Sequence, residues 1–147
     1  MENRTVNTMS DRVDGEVVVR GRVALVADDE PAVLRPIRAI LGAFGYEVLT
    51  ATNGLEVVEV VRERARSGAS MPELVISDVN MPWLAGPEAL LAVNEHLTRA
   101  AVIVMTAHVS PDIEGRVRPL GARLYAKPEL MRVLRDVIDE ARPQLAA

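Results

Sequence analysis

Short continuous runs of apolar residues alternate along the chain with longer segments in which apolar residues recur at helical spacing. A short continuous apolar run is typical of a strand that is buried on both faces of a parallel sheet. The pattern predicts five such strands, at residues 23–27, 46–51, 74–77, 101–105 and 124–126. Another apolar run, at residues 17–19, predicts a further short strand near the N-terminus.

The segments between these runs predict amphipathic helices, because their apolar residues lie three and four positions apart. The helices are predicted over residues 31–44, 54–67, 87–97, 111–120 and 130–141. Gly45 ends the first helix, and Asn53 is a suitable N-cap for the second. Pro36 lies inside the first helix and predicts either a kink or a late helix start.

Alternating strands and helices with short connections favour an α/β fold with a doubly wound parallel sheet and helices on both faces. We expect one domain over residues 22–142. Residues 1–21 are polar and aperiodic over most of their length and are expected to form a flexible extension, and residues 143–147 a C-terminal tail.

Composition narrows the possible functions of this 147-residue chain. Its formal net charge of -4 argues against a nucleic-acid-binding surface. It contains no cysteine, so disulfides and thiolate metal ligands are excluded. No apolar run approaches the roughly 20 residues that span a bilayer, and the N-terminus lacks an apolar signal-peptide core. A cytoplasmic protein without membrane contacts is the expectation.

Polar residues follow four of the five predicted strands. The first strand ends at Asp28 and Asp29, the third at Asp78, the fourth at Thr106 and the fifth at Lys127, the only lysine of the chain. Each could merely cap a turn, but ligands bind outside the carboxyl ends of the strands in such sheets. Three neighbouring carboxylates repel one another unless a cation joins them. An open, all-oxygen site suits Mg²⁺, which commonly also binds phosphate oxygens.

These motifs resemble those of bacterial two-component response regulator receiver domains, and the resemblance extends over residues 22–141. It rests on four segments in order, Val26-Ala27-Asp28-Asp29-Glu30-Pro31, Ser77-Asp78-Val79-Asn80-Met81-Pro82, Met105-Thr106-Ala107 and Lys127-Pro128. The resemblance implies a flavodoxin-like (βα)5 fold with strand order 2-1-3-4-5. We expect a stand-alone receiver of the chemotaxis-regulator type, because no effector segment follows in this sequence.

The resemblance implies a phosphoacceptor and a metal site. Asp78 would accept a phosphoryl group from a phosphohistidine. Asp29 and Asp78 would ligate Mg²⁺, or alternatively Mn²⁺, directly. The backbone carbonyl of Asn80 would be a third ligand, and Asp28 would act through a metal-bound water. A receiver of this kind is not an enzyme beyond catalysing its own phosphorylation and dephosphorylation.

The remaining catalytic residues would contact the phosphoryl group. Thr106 would donate a hydrogen bond to one phosphoryl oxygen and Lys127 would pair with another, which suits the compact ammonium of lysine better than the planar fork of arginine. The family resemblance implies a cis bond between Lys127 and Pro128. Asn80 and His108, each two residues beyond a catalytic position, would tune dephosphorylation, although His108 is equally well explained as a loop residue.

The aromatic switch residue departs from the family pattern, in which it lies three positions before the lysine. Here Tyr125 lies two positions before Lys127, and Leu124 lies three before it. A regular strand would place Tyr125 and Lys127 on the same face. Either a local bulge restores the usual placement of Tyr125, or Leu124 takes the switch position.

The sequence also allows predictions for His96 and Trp83. His96 is expected to be a surface residue and not a phosphodonor. Trp83, the only tryptophan, is either a loop anchor packed on a helix, which we favour, or a partner contact.

The resemblance implies a sensor histidine kinase or a histidine phosphotransfer protein as the phosphodonor, and an unidentified output partner. A homodimer through the face formed by the fourth helix, fifth strand and fifth helix is a further expectation. Two alternatives stay open from the sequence. One is an interaction module that phosphorylation does not drive, and the other is a phosphohydrolase with an aspartyl nucleophile.

Overall fold

A computed structural model describes residues 10–13, 16–19 and 22–146, with side chains described over residues 22–141. The strands are β1 (Ser10–Val13), β2 (Glu16–Val19), β3 (Arg22–Ala27), β4 (Tyr46–Ala51), β5 (Leu74–Asp78), β6 (Ala101–Thr106) and β7 (Arg123–Ala126). The α-helices are α1 (Pro31–Ala43), α2 (Gly54–Ser67), α3 (Gly86–Ala92), α4 (Pro111–Val117) and α5 (Lys127–Ala146). Short 3-10 turns follow α3 at Asn94–His96 and α4 at Arg118–Leu120.

The five strands from β3 to β7 form one parallel sheet in the order β4-β3-β5-β6-β7. Counted from its first strand, this is the predicted order 2-1-3-4-5, and the predicted α/β fold is confirmed. β1 and β2 pair antiparallel as a separate hairpin, which includes the short strand predicted at residues 17–19. The rest of the predicted extension, at residues 1–9, 14, 15, 20 and 21, lies outside the described residues.

The sheet is buried on both faces, which explains why its strands read as continuous apolar runs. Successive residues of a strand point to opposite faces. Ala24 and Val26 therefore join the core beneath α1 and α5, whereas Leu25 and Ala27 join the core beneath α2 and α3. All four are fully buried, so β3 is fixed in the interior of the sheet and its carboxyl end has a defined position.

The helix boundaries differ from the prediction at the ends of α3 and α4 and at the start of α5. The α-helical part of the third predicted helix stops at Ala92, and that of the fourth stops at Val117, one residue before Arg118-Pro119. α1 begins at Pro31 and contains Pro36, so a late helix start is excluded. α5 begins at Lys127 and continues through most of the predicted tail to Ala146.

The expected cis bond before Pro128 is wrong for this structure, because no cis peptide bond occurs among the described residues. Pro128 is the second residue of α5. Proline suits the first turn of a helix, where the missing N–H would have no intrahelical partner. No helix within residues 22–146 has the length and hydropathy needed to cross a bilayer.

Candidate functional site

Three carboxylates meet at the carboxyl ends of β3 and β5. The two strands are neighbours and pair Ala27 with Ser77, so Asp28 and Asp78 leave the sheet side by side. Asp28, Asp29 and Asp78 each offer an oxygen within 4.8 Å of the others. Asp28 and Asp78 are buried, whereas Asp29 is exposed. The site is therefore acidic and open to water on one side.

Two hydrogen bonds fix Asp28, one through its backbone N–H and one through a carboxylate oxygen. Its N–H donates to the carbonyl of Ala51 at 3.0 Å, and its Oδ1 accepts from the N–H of Glu30 at 2.8 Å. Oδ2 is buried and has no hydrogen-bond donor among the described residues. A buried carboxylate oxygen without a donor is costly unless a cation lies beside it.

Lys127 supplies the positive charge at this site. Its Nζ lies 3.0 Å from Oδ2 of Asp28, in an ion pair without hydrogen-bond geometry, and donates to Oδ2 of Asp78 at 3.2 Å. Burial alone would lower the pKa of Lys127, but its contact with Asp28 and the charge of Asp78 outweigh this and raise it. The ammonium is therefore charged at neutral pH.

Glu30 is a contact of Lys127 that the sequence analysis missed. Its Oε1 accepts from Nζ at 3.3 Å, and its side chain is largely exposed. The signal was present, because Glu30 directly follows Asp28 and Asp29. The ammonium is thus shared among three acidic side chains, and it must leave at least one of them to contact an added anion.

The carboxyl group of Asp78 is harder to ionise than an ordinary aspartate. Burial is the largest cause that raises its pKa, and the nearby charge of Asp28 raises it further. Lys127 and the backbone of Asn80 oppose this rise without cancelling it. A divalent cation would relieve the same repulsion, so the charge balance favours a bound metal ion.

Thr106 lies at the end of β6, next to the acidic site, because β5 and β6 pair Asp78 with Met105. Its hydroxyl is buried and donates to the carbonyl of His108 at 3.2 Å. His108 and Asn80 are both exposed at the rim. The sheet thus places Thr106 and Lys127 beside Asp78, as the strand-end pattern predicts.

The loop after Asp78 is held by two glycines at helix starts. A Cβ on Gly86, the first residue of α3, would lie 1.9 Å from the carbonyl oxygen of Asp78 and 2.7 Å from Oγ of Ser77. A Cβ on Gly54, the first residue of α2, would lie 2.0 Å from the carbonyl oxygen of Leu84. Only glycine permits these approaches. The sequence alone does not reveal this contact of Gly86, because it joins residues of two different elements.

Trp83 is not packed on a helix, so the favoured expectation of a loop anchor is wrong. Its side chain is 80% exposed. Its φ of 72° is the only positive value at a non-glycine residue in the described part of the chain. The N–H of Leu84 donates to the carbonyl of Pro82 at 2.8 Å, which makes Trp83 the centre of a γ-turn. A γ-turn with positive φ is rare and strained.

The two candidate switch residues lie on opposite faces of β7. β7 pairs with β6 in continuous register, Leu124 with Val104 and Tyr125 with Met105, so no bulge interrupts it. Tyr125 packs against the core beneath α1 and α5, whereas Leu124 packs against the opposite core, which includes Val117 of α4. The bulge that would restore the usual placement of Tyr125 is therefore absent from Arg123–Ala126.

Several arginines of the α4–β7–α5 face are paired within the chain. Arg116 donates to Glu88 of α3 at 2.9 Å, which holds the pKa of Glu88 below its usual range. Arg123 donates to Glu140 at 2.7 Å. A dimer through this face, as the sequence analysis expects, would have to compete with these pairs. His96 is partly exposed, with its Nε2 3.7 Å from Glu95, as expected of a surface residue.

Comparison with known proteins adds independent information. The family model described as "Response regulator receiver domain" matches residues 24–139. The chain is 35% identical over 100 residues to the transcriptional regulatory protein KdpE of Mycobacterium tuberculosis, covering 68% of this chain and 40% of KdpE. It is 28% identical over 120 residues to sporulation initiation phosphotransferase F of Bacillus subtilis, covering 81% of this chain and 92% of that protein.

A solved structure with similar architecture is the receiver domain of the hybrid histidine kinase CckA. It has a TM-score of 0.65 and 28% identity, and the match covers 81% of this chain and 97% of that domain. The match to KdpE, by contrast, involves less than half of that relative's length. Since the family model spans most of the chain and includes every residue of the acidic site, the chain belongs to the response regulator receiver domain family.

Proposed function

We propose that this chain is a phosphoacceptor of a two-component phosphorelay and that Asp78 is its phosphorylation site. One observation carries the assignment. Asp78 ends the central strand β5, between β3, which leads to Asp28 and Asp29, and β6, which ends at Thr106, and its Oδ2 lies 3.2 Å from Nζ of Lys127. Family membership supports this function over a phosphohydrolase.

The chemistry is nucleophilic attack by a carboxylate. An oxygen of Asp78 forms a bond to the phosphorus of a phosphohistidine as the bond from phosphorus to the imidazole nitrogen breaks. The imidazole leaves with the bonding electron pair and takes up a proton from solvent. The product is an acyl phosphate on Asp78, which water later hydrolyses to restore the carboxylate and release phosphate.

The acidic side chains fit a divalent cation. Receiver domains bind Mg²⁺ or Mn²⁺ at such a pocket, and here Asp28, Asp29 and Asp78, with the carbonyl of Asn80, would hold the ion. The buried Oδ2 of Asp28 accepts no hydrogen bond among the described residues and pairs with the ammonium of Lys127 at 3.0 Å, so a metal ion would compete with that ammonium for it. When bound, the ion neutralises charge on the carboxylate and the incoming phosphoryl group.

Thr106 and Lys127 would bind the phosphoryl oxygens. The hydroxyl of Thr106 would exchange its bond to the carbonyl of His108 for one to a phosphoryl oxygen. Nζ of Lys127 would leave Glu30 and pair with another oxygen. Catalysis of phosphoryl transfer is mostly positioning and electrostatics, which these groups supply. Exposed Asn80 and His108 would control the approach of the hydrolytic water.

Leu124, and not Tyr125, is our candidate for the switch residue. Leu124 lies on the face of β7 that packs in the same core as Val117 of α4. Its partner in the β6–β7 register is Val104, which is two residues before Thr106. A movement of Thr106 toward a phosphoryl group would change the packing around Leu124. The signal would then leave through apolar repacking and not through a hydroxyl relay.

The proposed phosphodonor partners are proteins that carry a phosphohistidine. A sensor histidine kinase or a histidine phosphotransfer protein would supply the phosphohistidine. Since such donors are made with ATP, the exchange would take place in the cytoplasm. Receiver domains are in general phosphoacceptors without an independent enzymatic activity, and autocatalysis on Asp78 would be the only reaction of this domain.

The direct test is incubation of the full chain with Mg²⁺ and a small phosphodonor such as phosphoramidate, followed by intact-mass measurement. We expect the mass of one phosphoryl group, labile to hydroxylamine and absent when Mg²⁺ is chelated. Peptide mapping after reductive trapping should locate it at Asp78. A phosphoryl group elsewhere, or none with Mg²⁺ present, would contradict the assignment.

Lys127→Met is expected to tighten Mg²⁺ binding at least about tenfold, because the ammonium competes with the metal ion for Asp28 and Asp78. Isothermal titration calorimetry measures this directly. Arg132→Met removes an exposed positive charge that pairs with Glu129 on α5, and it should leave the affinity unchanged. Unchanged or weaker binding in Lys127→Met would show that the ammonium does not share ligands with the metal.

A further inference from the structure

An exposed groove lies between Trp83 and α2, on a surface away from the acidic site's catalytic contacts. It is lined by Trp83 and by one stripe of α2, namely Leu55, Val58, Glu59, Arg62 and Arg66, together with Asn53 and Glu56 at its N-terminal end. The stripe residues are three and four positions apart and therefore share one helix face. Trp83 is 80% exposed and Leu55 is 53% exposed, so the apolar part of this groove is open to solvent.

The backbone holds Trp83 outward against local strain. The positive φ of Trp83 belongs to a conformation that glycine adopts without cost and tryptophan does not. The loop cannot relax easily, because Gly54 and Gly86 contact backbone on either side of it. A large aromatic residue kept in a strained, exposed position beside an apolar helix face indicates a contact surface.

The charges along the stripe identify the occupant. The end near Trp83 is apolar apart from Glu56, whose carboxylate accepts hydrogen bonds from Thr52. Glu59 lies in the middle, and Arg62 and Arg66 follow toward the C-terminal end of α2. Within the described residues, Glu59 and Arg62 have no ion-pair partner, and Arg66 pairs only with exposed Glu63. A helix with this order of charges is complementary to a second copy of itself placed antiparallel, since Glu59 of each copy then faces a basic position of the other.

We propose that this groove, formed by Trp83 and the outer stripe of α2, binds the same groove of a second copy of the chain about a two-fold axis. The axis passes near residue 60, so that Glu59 of each copy faces Arg62 of the other. Trp83 at the start of one α2 then reaches Arg66 near the end of the other, where a guanidinium can stack on the indole face. The same patch serves both copies, as a two-fold contact requires.

The contact is small and therefore weak. Two helices of this length with one tryptophan each bury less surface than a stable obligate dimer, so we expect reversible association. It needs no phosphoryl group, and it is independent of the phosphoacceptor function. It also does not use the α4–β7–α5 face, where Arg116 and Arg123 are paired within the chain.

Sedimentation equilibrium of the full chain without Mg²⁺ or phosphodonor, from low micromolar to near-millimolar concentration, tests the contact. We expect a monomer–dimer equilibrium and a blue shift of Trp83 emission as the dimer forms. Trp83→Gly should weaken the dimer at least about tenfold and leave the thermal unfolding temperature unlowered, because the change relieves the positive φ. A wild-type chain that stays monomeric over this range overturns the proposal.

Charge exchange provides the decisive control. Glu59→Arg places like charges across the axis, and so does Arg62→Glu, so each variant alone should dimerise at least about tenfold more weakly. An equimolar mixture of the two restores opposite charges at both positions and should recover the dimer. Both substituted positions are exposed on α2, so both variants are expected to fold. Dimers that persist in the single variants, or a mixture that shows no recovery, would place the interface elsewhere.

Discussion

Asp78→Asn is expected to abolish phosphoryl uptake from phosphoramidate, with no gain in intact mass at any time point. A neutral amide cannot form the acyl phosphate, and the shape of the side chain is kept, so the pocket should persist. Asp136→Asn, which removes an exposed carboxylate on α5, is the matched control and should be phosphorylated at the wild-type rate. Phosphorylation of the Asp78 variant on any residue would contradict the proposed site.

The same variant should be more stable than the wild type in the absence of Mg²⁺, by about 1 kcal/mol in free energy of unfolding. Burial and the charge of Asp28 raise the pKa of Asp78, so the folded state disfavours its ionised form at neutral pH. For an acid with a raised pKa, stability is gained as pH falls through the folded-state pKa. Urea unfolding at two pH values should therefore show the wild type approaching the variant in acid.

Gly86→Ala is expected to lower the free energy of unfolding by about 2–4 kcal/mol. Its Cβ would lie 1.9 Å from the carbonyl oxygen of Asp78, and neither backbone can move independently of the sheet. Because the displaced atom belongs to Asp78, the proposed phosphoacceptor, the rate of phosphoryl uptake should also fall. A shift of roughly 1 Å can cost about 100-fold in rate. Urea unfolding and mass-based kinetics measure the two effects separately.

Gly115→Ala is the matched control for this substitution. A Cβ at Gly115, inside α4, meets no atom within 4 Å. Alanine there should raise the free energy of unfolding by about 0.5–1 kcal/mol, because glycine weakens a helix interior. If Gly86→Ala behaved like Gly115→Ala, the close approach of α3 to Asp78 would not constrain the loop.

The apolar runs and the polar residues that end them were sufficient to predict the sheet and most of the acidic site. A buried parallel strand needs apolar residues on both faces, and parallel strands bring their carboxyl ends to one edge, so Asp28, Asp78 and Thr106 had to lie together. The helix ends were less predictable. Local sequence did not show that Lys127 would already begin α5, or where α3 would change to a 3-10 turn.

Contacts between elements distant in the sequence needed the tertiary structure. Glu30 reaches Lys127 across 97 positions, and Gly86 meets the carbonyl of Asp78 only because α3 folds back over the sheet. The exposure of Trp83 is likewise set by backbone contacts on both sides of its loop. The sequence alone determined the strands, the helices and the acidic strand ends, because apolar periodicity is a local property. Distances, ion pairs and exposed surfaces were decided by packing, because they depend on which elements meet.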